Sequence, residues 1–107
     1  MCLFKKKAKQ NVKIEDNLSK IKDLLVKTEY LIHMVSDQDT VSRLEKIGDT
    51  LKYMAPTVKP DALVLEEKIN HKLDDLKITI SGRKDPTKVH NDLQVIELLL
   101  IERKNNY

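Results

Sequence analysis

A chain of 107 residues, 40% hydrophobic and 35% charged, has room for one domain with a modest core and is too apolar to be disordered throughout. Two glycines, three prolines and no tryptophan leave a strand-rich fold short of turn residues and a stacking-based binding site short of aromatics, so helices are expected. The formal charge of +3 would suggest a nucleic-acid-binding face only if it formed a basic stripe on the fold, and its distribution argues against that.

The positive charge is concentrated at the start. Lys5, Lys6, Lys7, Lys9 and Lys13 fall in the first 13 residues with no acid among them, leaving 15 basic against 17 acidic residues in the remainder. Residues 1–11 are expected to be a flexible basic tail and residues 12–107 a single helical domain. In "MCLFKKKAK" the charges follow the apolar residues and no long apolar run comes after them, unlike a secretory signal. Cys2 is the only cysteine, so no intramolecular disulfide can form and a reducing, cytoplasmic compartment is expected. Leu3, Phe4, Lys5, Lys6, Lys7 and Lys9 have the composition of an anionic-membrane contact, each lysine adding about 1 kcal/mol near such a surface. Cys2 is a candidate for acylation, the second signal that stable anchoring requires. The alternative is a solubilising N-terminus.

The first helix is expected over about 12–35. Ile14, Leu18, Ile21, Leu25, Thr28, Ile32 and Val35 step alternately by four and three, a coiled-coil seam interrupted only by Thr28, with Leu24 and Leu31 widening it. "SDQDT" breaks the pattern, with Ser36 and Asp39 spaced as a capping box. A second helix, about 38–54, presents Val41, Leu44, Ile47, Leu51 and Met54. Gly48 weakens it by about 1 kcal/mol relative to Ala unless another helix packs closely there.

Pro56 and Pro60 end that helix, and Pro60 suits the first turn of a third, about 60–81. Its seam is Leu65 or Val64, then Ile69, Leu73, Leu76 and Ile80, with Gly82 as C-terminal cap. Asp85 and Pro86 open a fourth helix, about 86–104, with Val89, Leu93, Ile96 and Leu100 as its seam. The polar end "ERKNNY" is expected to fray. "LKITIS" alternates with period two, so an α+β alternative pairs 76–81 with 93–101 as a hairpin.

Chemistry is sparse. Glu67, His71 and Asp74 share one helix face and form a weak metal set, since bundle sites draw matching ligands from several helices. His90 and Glu97 make only a partial second set. His33 reads as a boundary residue. Cys2 has no base held against it, no nucleophile elbow surrounds any serine, and two isolated glycines cannot form a phosphate loop. Adjacent carboxylates such as Glu66–Glu67 and Asp74–Asp75 diverge on a helix, where a catalytic pair must converge. No enzyme activity and no cofactor is expected. Nucleic acid is not an expected partner either, because the third helix, "DALVLEEKINHKLDDL", is acidic.

In "LKYMAPTVKPDALVLEEKI" (51–69) an aromatic residue, Pro-Thr and a new amphipathic segment follow one another, and "DLQVIELLL" (92–100) closes the pattern. These stretches resemble the bacterial family of 5-bromo-4-chloroindolyl phosphate hydrolysis proteins over about half of the chain. The resemblance implies a bacterial, cytoplasmic, helical protein working beside a larger helical partner. It carries over no catalytic residue. Tyr53 stands alone before the turn and Pro60 is an insertion, both departures from the family pattern.

The expected fold is an all-α, antiparallel, up-and-down four-helix bundle. The last helix fills its seam and still has Val95, Leu98 and Ile101 left over. They are either covered, making this a deeply buried central helix, or they form an exposed patch of the kind that marks an interface. The function expected is a small helical interaction or scaffold module that self-associates or docks a partner helix. A metal- or small-ligand-binding bundle and a nucleic-acid-associated protein are the alternatives.

Overall fold

The computed structural model describes the backbone of residues 2–82 and 85–106, and the side chains of residues 14–82 and 85–105. Four helices follow one another: α1 (Cys2–Met34), α2 (Gln38–Lys52), α3 (Pro60–Ser81) and α4 (Pro86–Asn106). They pack as a four-helix bundle in which successive helices run in opposite directions. No strand occurs among the described residues, so the hairpin of 76–81 with 93–101 does not form. "LKITIS" is instead the last turns of α3. Leu76, Thr79 and Ile80 face inward at helical spacing, and Ile78 points to solvent.

The helix ends follow local chemistry. Asp37, not Ser36, caps α2: its carboxylate accepts from the Thr40 amide at 3.0 Å and the Thr40 hydroxyl at 2.7 Å. Those bonds, the hydroxyl first, hold the Asp37 carboxyl below its usual pKa. Tyr53 ends α2 two residues earlier than the apolar pattern suggests, its amide donating to the Asp49 carbonyl and the Met54 amide to the Leu51 carbonyl. Pro60 occupies the first turn of α3, which has no side-chain cap. Asp85 caps α4, accepting from the Thr87 amide at 3.0 Å. At its N-terminus α1 reaches back to Cys2, beyond the start of the apolar period, and residues 2–13 contain neither Gly nor Pro to stop it. The expected membrane-contact set Leu3, Phe4, Lys5, Lys6, Lys7 and Lys9 lies outside the described side chains.

The neighbours around the bundle are set by packing. α1 lies against α2 and α3, and α4 against α3 and α2. α2 and α3, though consecutive, occupy opposite corners, so residues 53–59 cross one end of the bundle along a diagonal. The core is aliphatic. Leu44, Leu51, Ile69, Leu76 and Ile96 are fully buried, each contributing about 1.5–3 kcal/mol of transfer free energy. The inward stripe of α1 is rotated from the expected seam. Asn17, Ile21, Leu24, Thr28 and Leu31 are buried, while Ile14 and Leu18 are 46% and 39% exposed. Thr28 is accommodated because its hydroxyl donates to the Leu24 carbonyl one turn back, at 2.8 Å. Among the described residues, no helix is long and apolar enough to cross a membrane.

Gly48 sits where α2 crosses α1. A methyl group added there would lie 3.7 Å from Leu25 Cδ1 and 3.8 Å from Thr28 Cγ2, ordinary contact distances. The close helix is present, yet it leaves room for alanine. Gly48→Ala is therefore expected to stabilise the protein by about 0.5–1 kcal/mol through helix propensity. Thermal unfolding followed by circular dichroism checks this, and a fall in Tm would mean the crossing is tighter than these distances allow.

Candidate functional site

Three features of α4 and its neighbours stand out: an apolar strip facing solvent, a groove beside it, and a buried polar network below.

The inward face of α4 carries Val89, Leu93, Ile96 and Leu100, completed by Arg103. Val95, Leu98 and Ile101 lie outside it and are 36%, 54% and 57% exposed. The helix is thus not a buried central one, and the three surplus residues form a strip at spacing three along its outer side. Around them stand Asn91, Gln94, Glu102 and Asn105, all exposed.

Between α2 and α4 runs a groove of about 690 Å³, floored by Ile47, Met54 and Leu100 and walled by Thr50 and Ile101. Glu97 bounds its upper end and is held there by Arg43. The guanidinium meets the Glu97 carboxylate through Nη2–Oε1 at 2.7 Å and Nε–Oε2 at 3.2 Å, and Nη1 lies 2.8 Å from His90 Nδ1. Glu97 raises the Arg43 pKa further above its ordinary value, chiefly through these hydrogen bonds and against partial burial. His90 and Glu97, the partial metal set, thus meet on an arginine. The lower end is bounded by Tyr53, Met54 and Ala55, where the diagonal linker begins.

The third feature joins distant parts of the chain. Glu66 of α3 is 3% exposed and accepts from Arg103 Nε at 2.9 Å and from Asn17 Nδ2 at 2.7 Å. Arg103 Nη2 donates to the Ala55 carbonyl at 2.9 Å, and the Thr57 amide donates to Asn17 Oδ1 at 2.8 Å. The network therefore ties α1, α3 and α4 to the linker between α2 and α3. A linker lying over the end of a bundle buries backbone polar groups that neither helix nor sheet satisfies. Here Asn17 and Arg103 satisfy two of them. No buried side-chain nitrogen or oxygen among the described residues lacks a hydrogen-bond partner.

The remaining candidates disperse. Glu67 and His71 are exposed, and Asp74 is engaged by Lys27 at 2.8 Å, which also donates to Asn70 Oδ1 at 2.6 Å. No group of three or more His, Cys, Asp or Glu side chains among the described residues is placed to hold a metal ion. His33 is exposed. The sequence pattern marks the apolar strip but passes over Asn17, Glu66 and Arg103. Compared with family models, curated proteins and solved structures, the chain matches none.

Proposed function

We propose that this protein is a non-enzymatic helical interaction module that self-associates through the outer side of α4. The exposure of Val95, Leu98 and Ile101 on one strip carries the reading. A two-fold axis through Leu98 would set Val95 of each copy against Ile101 of the other, so the strip is complementary to itself. The same axis sets Gln94 against Glu102 and Asn91 against Asn105, polar pairs with little like-charge repulsion. The strip is short for a permanent interface, so association is expected in the micromolar range rather than tighter.

Mass measured by light scattering after gel filtration, at two concentrations spanning that range in reducing buffer, tests this directly. Wild type is expected to shift from monomer towards dimer with concentration. Leu98→Lys, at an exposed position, is expected to stay monomeric with unchanged helicity. A variant as dimeric as wild type would move the interface elsewhere, and a wild type monomeric throughout would remove self-association.

The lysine-rich start of the chain adds a second element to this reading, a peripheral hold on the inner face of an anionic membrane by a cytoplasmic protein. Vesicles containing phosphatidylserine should sediment the protein at low salt and release it at high salt, because surface charge attraction is screened. Equal sedimentation with neutral vesicles would count against it.

A further inference from the structure

We propose that the groove between α2 and α4 is a binding site for an amphiphile with a single apolar chain and an anionic head. The groove is a site separate from the outer strip of α4, sharing only Ile101 with it. Its floor of Ile47, Met54 and Leu100 offers no polar side-chain group, and Met54 is a side chain that adapts readily to an inserted chain. A volume of about 690 Å³ lies within the range of small-ligand sites, which favour gaps between the helices of bundles.

Its ends define the kind of occupant. Glu97, held by Arg43, bounds one end, and the start of the linker bounds the other. A docking helix, about 10 Å across with its side chains, needs a groove open along its length. A single extended chain does not.

Charge defines the head. Among the described residues Glu97 is the only carboxylate lining the groove, and Arg43 neutralises it with two hydrogen bonds. Arg103 is likewise paired with Glu66. What remains is Lys46 on the α2 wall and Lys104 on the α4 wall. Among the described residues neither ammonium has a carboxylate within ion-pair distance. An apolar groove with two uncompensated cations at its rim favours a carboxylate, sulfonate or phosphate ester on an alkyl chain over a cationic or neutral one.

Calorimetric titration of the full chain with laurate, kept well below its micelle concentration, tests the proposal. One saturable site of micromolar affinity is expected, with dodecyltrimethylammonium at least tenfold weaker. The double variant Lys46→Glu/Lys104→Glu changes only exposed side chains and should lose at least tenfold for laurate. Thr50→Trp, which fills the groove from its α2 wall, should abolish binding while circular dichroism stays that of wild type. Absence of a saturable heat with the wild type overturns the proposal. So does equal affinity for the cationic chain, or laurate binding that survives Thr50→Trp.

Discussion

Arg103→Met is expected to remove about 3–5 kcal/mol of folding stability, the usual result of deleting one partner of a buried ion pair. Met matches the aliphatic part of Arg well enough that a cavity is not the main cost. The loss arises because Glu66, 3% exposed, loses the guanidinium that met Oε2 at 2.9 Å and is left a buried acid without its counter-charge. The Ala55 carbonyl loses its donor at the same time. Against a typical total of about 5–15 kcal/mol, such a loss brings a domain of this size near unfolding at ambient temperature. Urea denaturation with linear extrapolation measures it. A loss under about 1 kcal/mol would mean that the pair is solvated in solution and contributes as a surface pair does. Arg103→Lys keeps the charge but not the planar fork, so an intermediate loss is expected. Replacing both charges, in Arg103→Met/Glu66→Leu, removes the uncompensated carboxylate and should recover part of the stability. Recovery stays incomplete because the Ala55 carbonyl still has no donor and Asn17 Nδ2 has lost its acceptor.

Much of the fold is legible in the sequence because its punctuation is local. Pro60, Asp85 and Pro86 each act within one helical turn, and α3 and α4 begin where they direct. The surplus apolar residues of α4 are legible for a similar reason. A helix in a four-helix bundle has a limited buried arc, and Val89, Leu93, Ile96 and Leu100 already fill it. Val95, Leu98 and Ile101 then fall outside by geometry alone. The placement of α1 is less accessible, since Leu25 and Leu24 offer two apolar stripes only about 100° apart, and neighbouring helices decide which of them turns inward.

The polar network is hidden for a different reason. Glu66 has a solvated Glu67 beside it, and Arg103 sits between Glu102 and Lys104 in what reads as a fraying end. Nothing within one helix separates a buried charge from its exposed neighbours. The pairings span 49 residues for Asn17–Glu66 and 37 for Arg103–Glu66. A signal is nevertheless present. Asn17 continues the buried series Ile21, Leu24, Thr28, Leu31 backwards by four. Glu66 lies between Ala62 and Ile69 at steps of four and three, and Arg103 follows Leu100 by three. Polar residues continuing the buried stripes of three helices and bonded to one another are the pattern of a buried polar layer. The diagonal path of the linker has no comparable signal, because seven residues reach either an adjacent or an opposite corner.

That path gives Asn17→Leu its consequence. Taken as a pattern, the substitution improves α1 by extending an aliphatic seam through a polar interruption, and from helix propensity alone a gain would follow. The structure reverses the sign. Asn17 Oδ1 is the acceptor for the Thr57 amide and Asn17 Nδ2 a donor to Glu66, and both partners are buried. Leucine leaves one amide and one carboxylate oxygen short of a bond, at about 1–3 kcal/mol for each neutral group and more for a charged one. A net loss of about 2–4 kcal/mol is therefore expected in urea denaturation. The second readout is local: amide exchange at Thr57 should accelerate more than exchange in the middle of α2 or α3, because the linker loses its anchor on α1 before the helices lose their packing. An Asn17→Leu variant more stable than wild type would show that the amide of Thr57 reaches water or another acceptor. In that case Asn17 would serve to select the diagonal arrangement of α2 and α3 over an adjacent one, as buried polar groups do when they fix register in coiled coils. Distances measured by spin labels on α2 and α3 would then shorten in the variant.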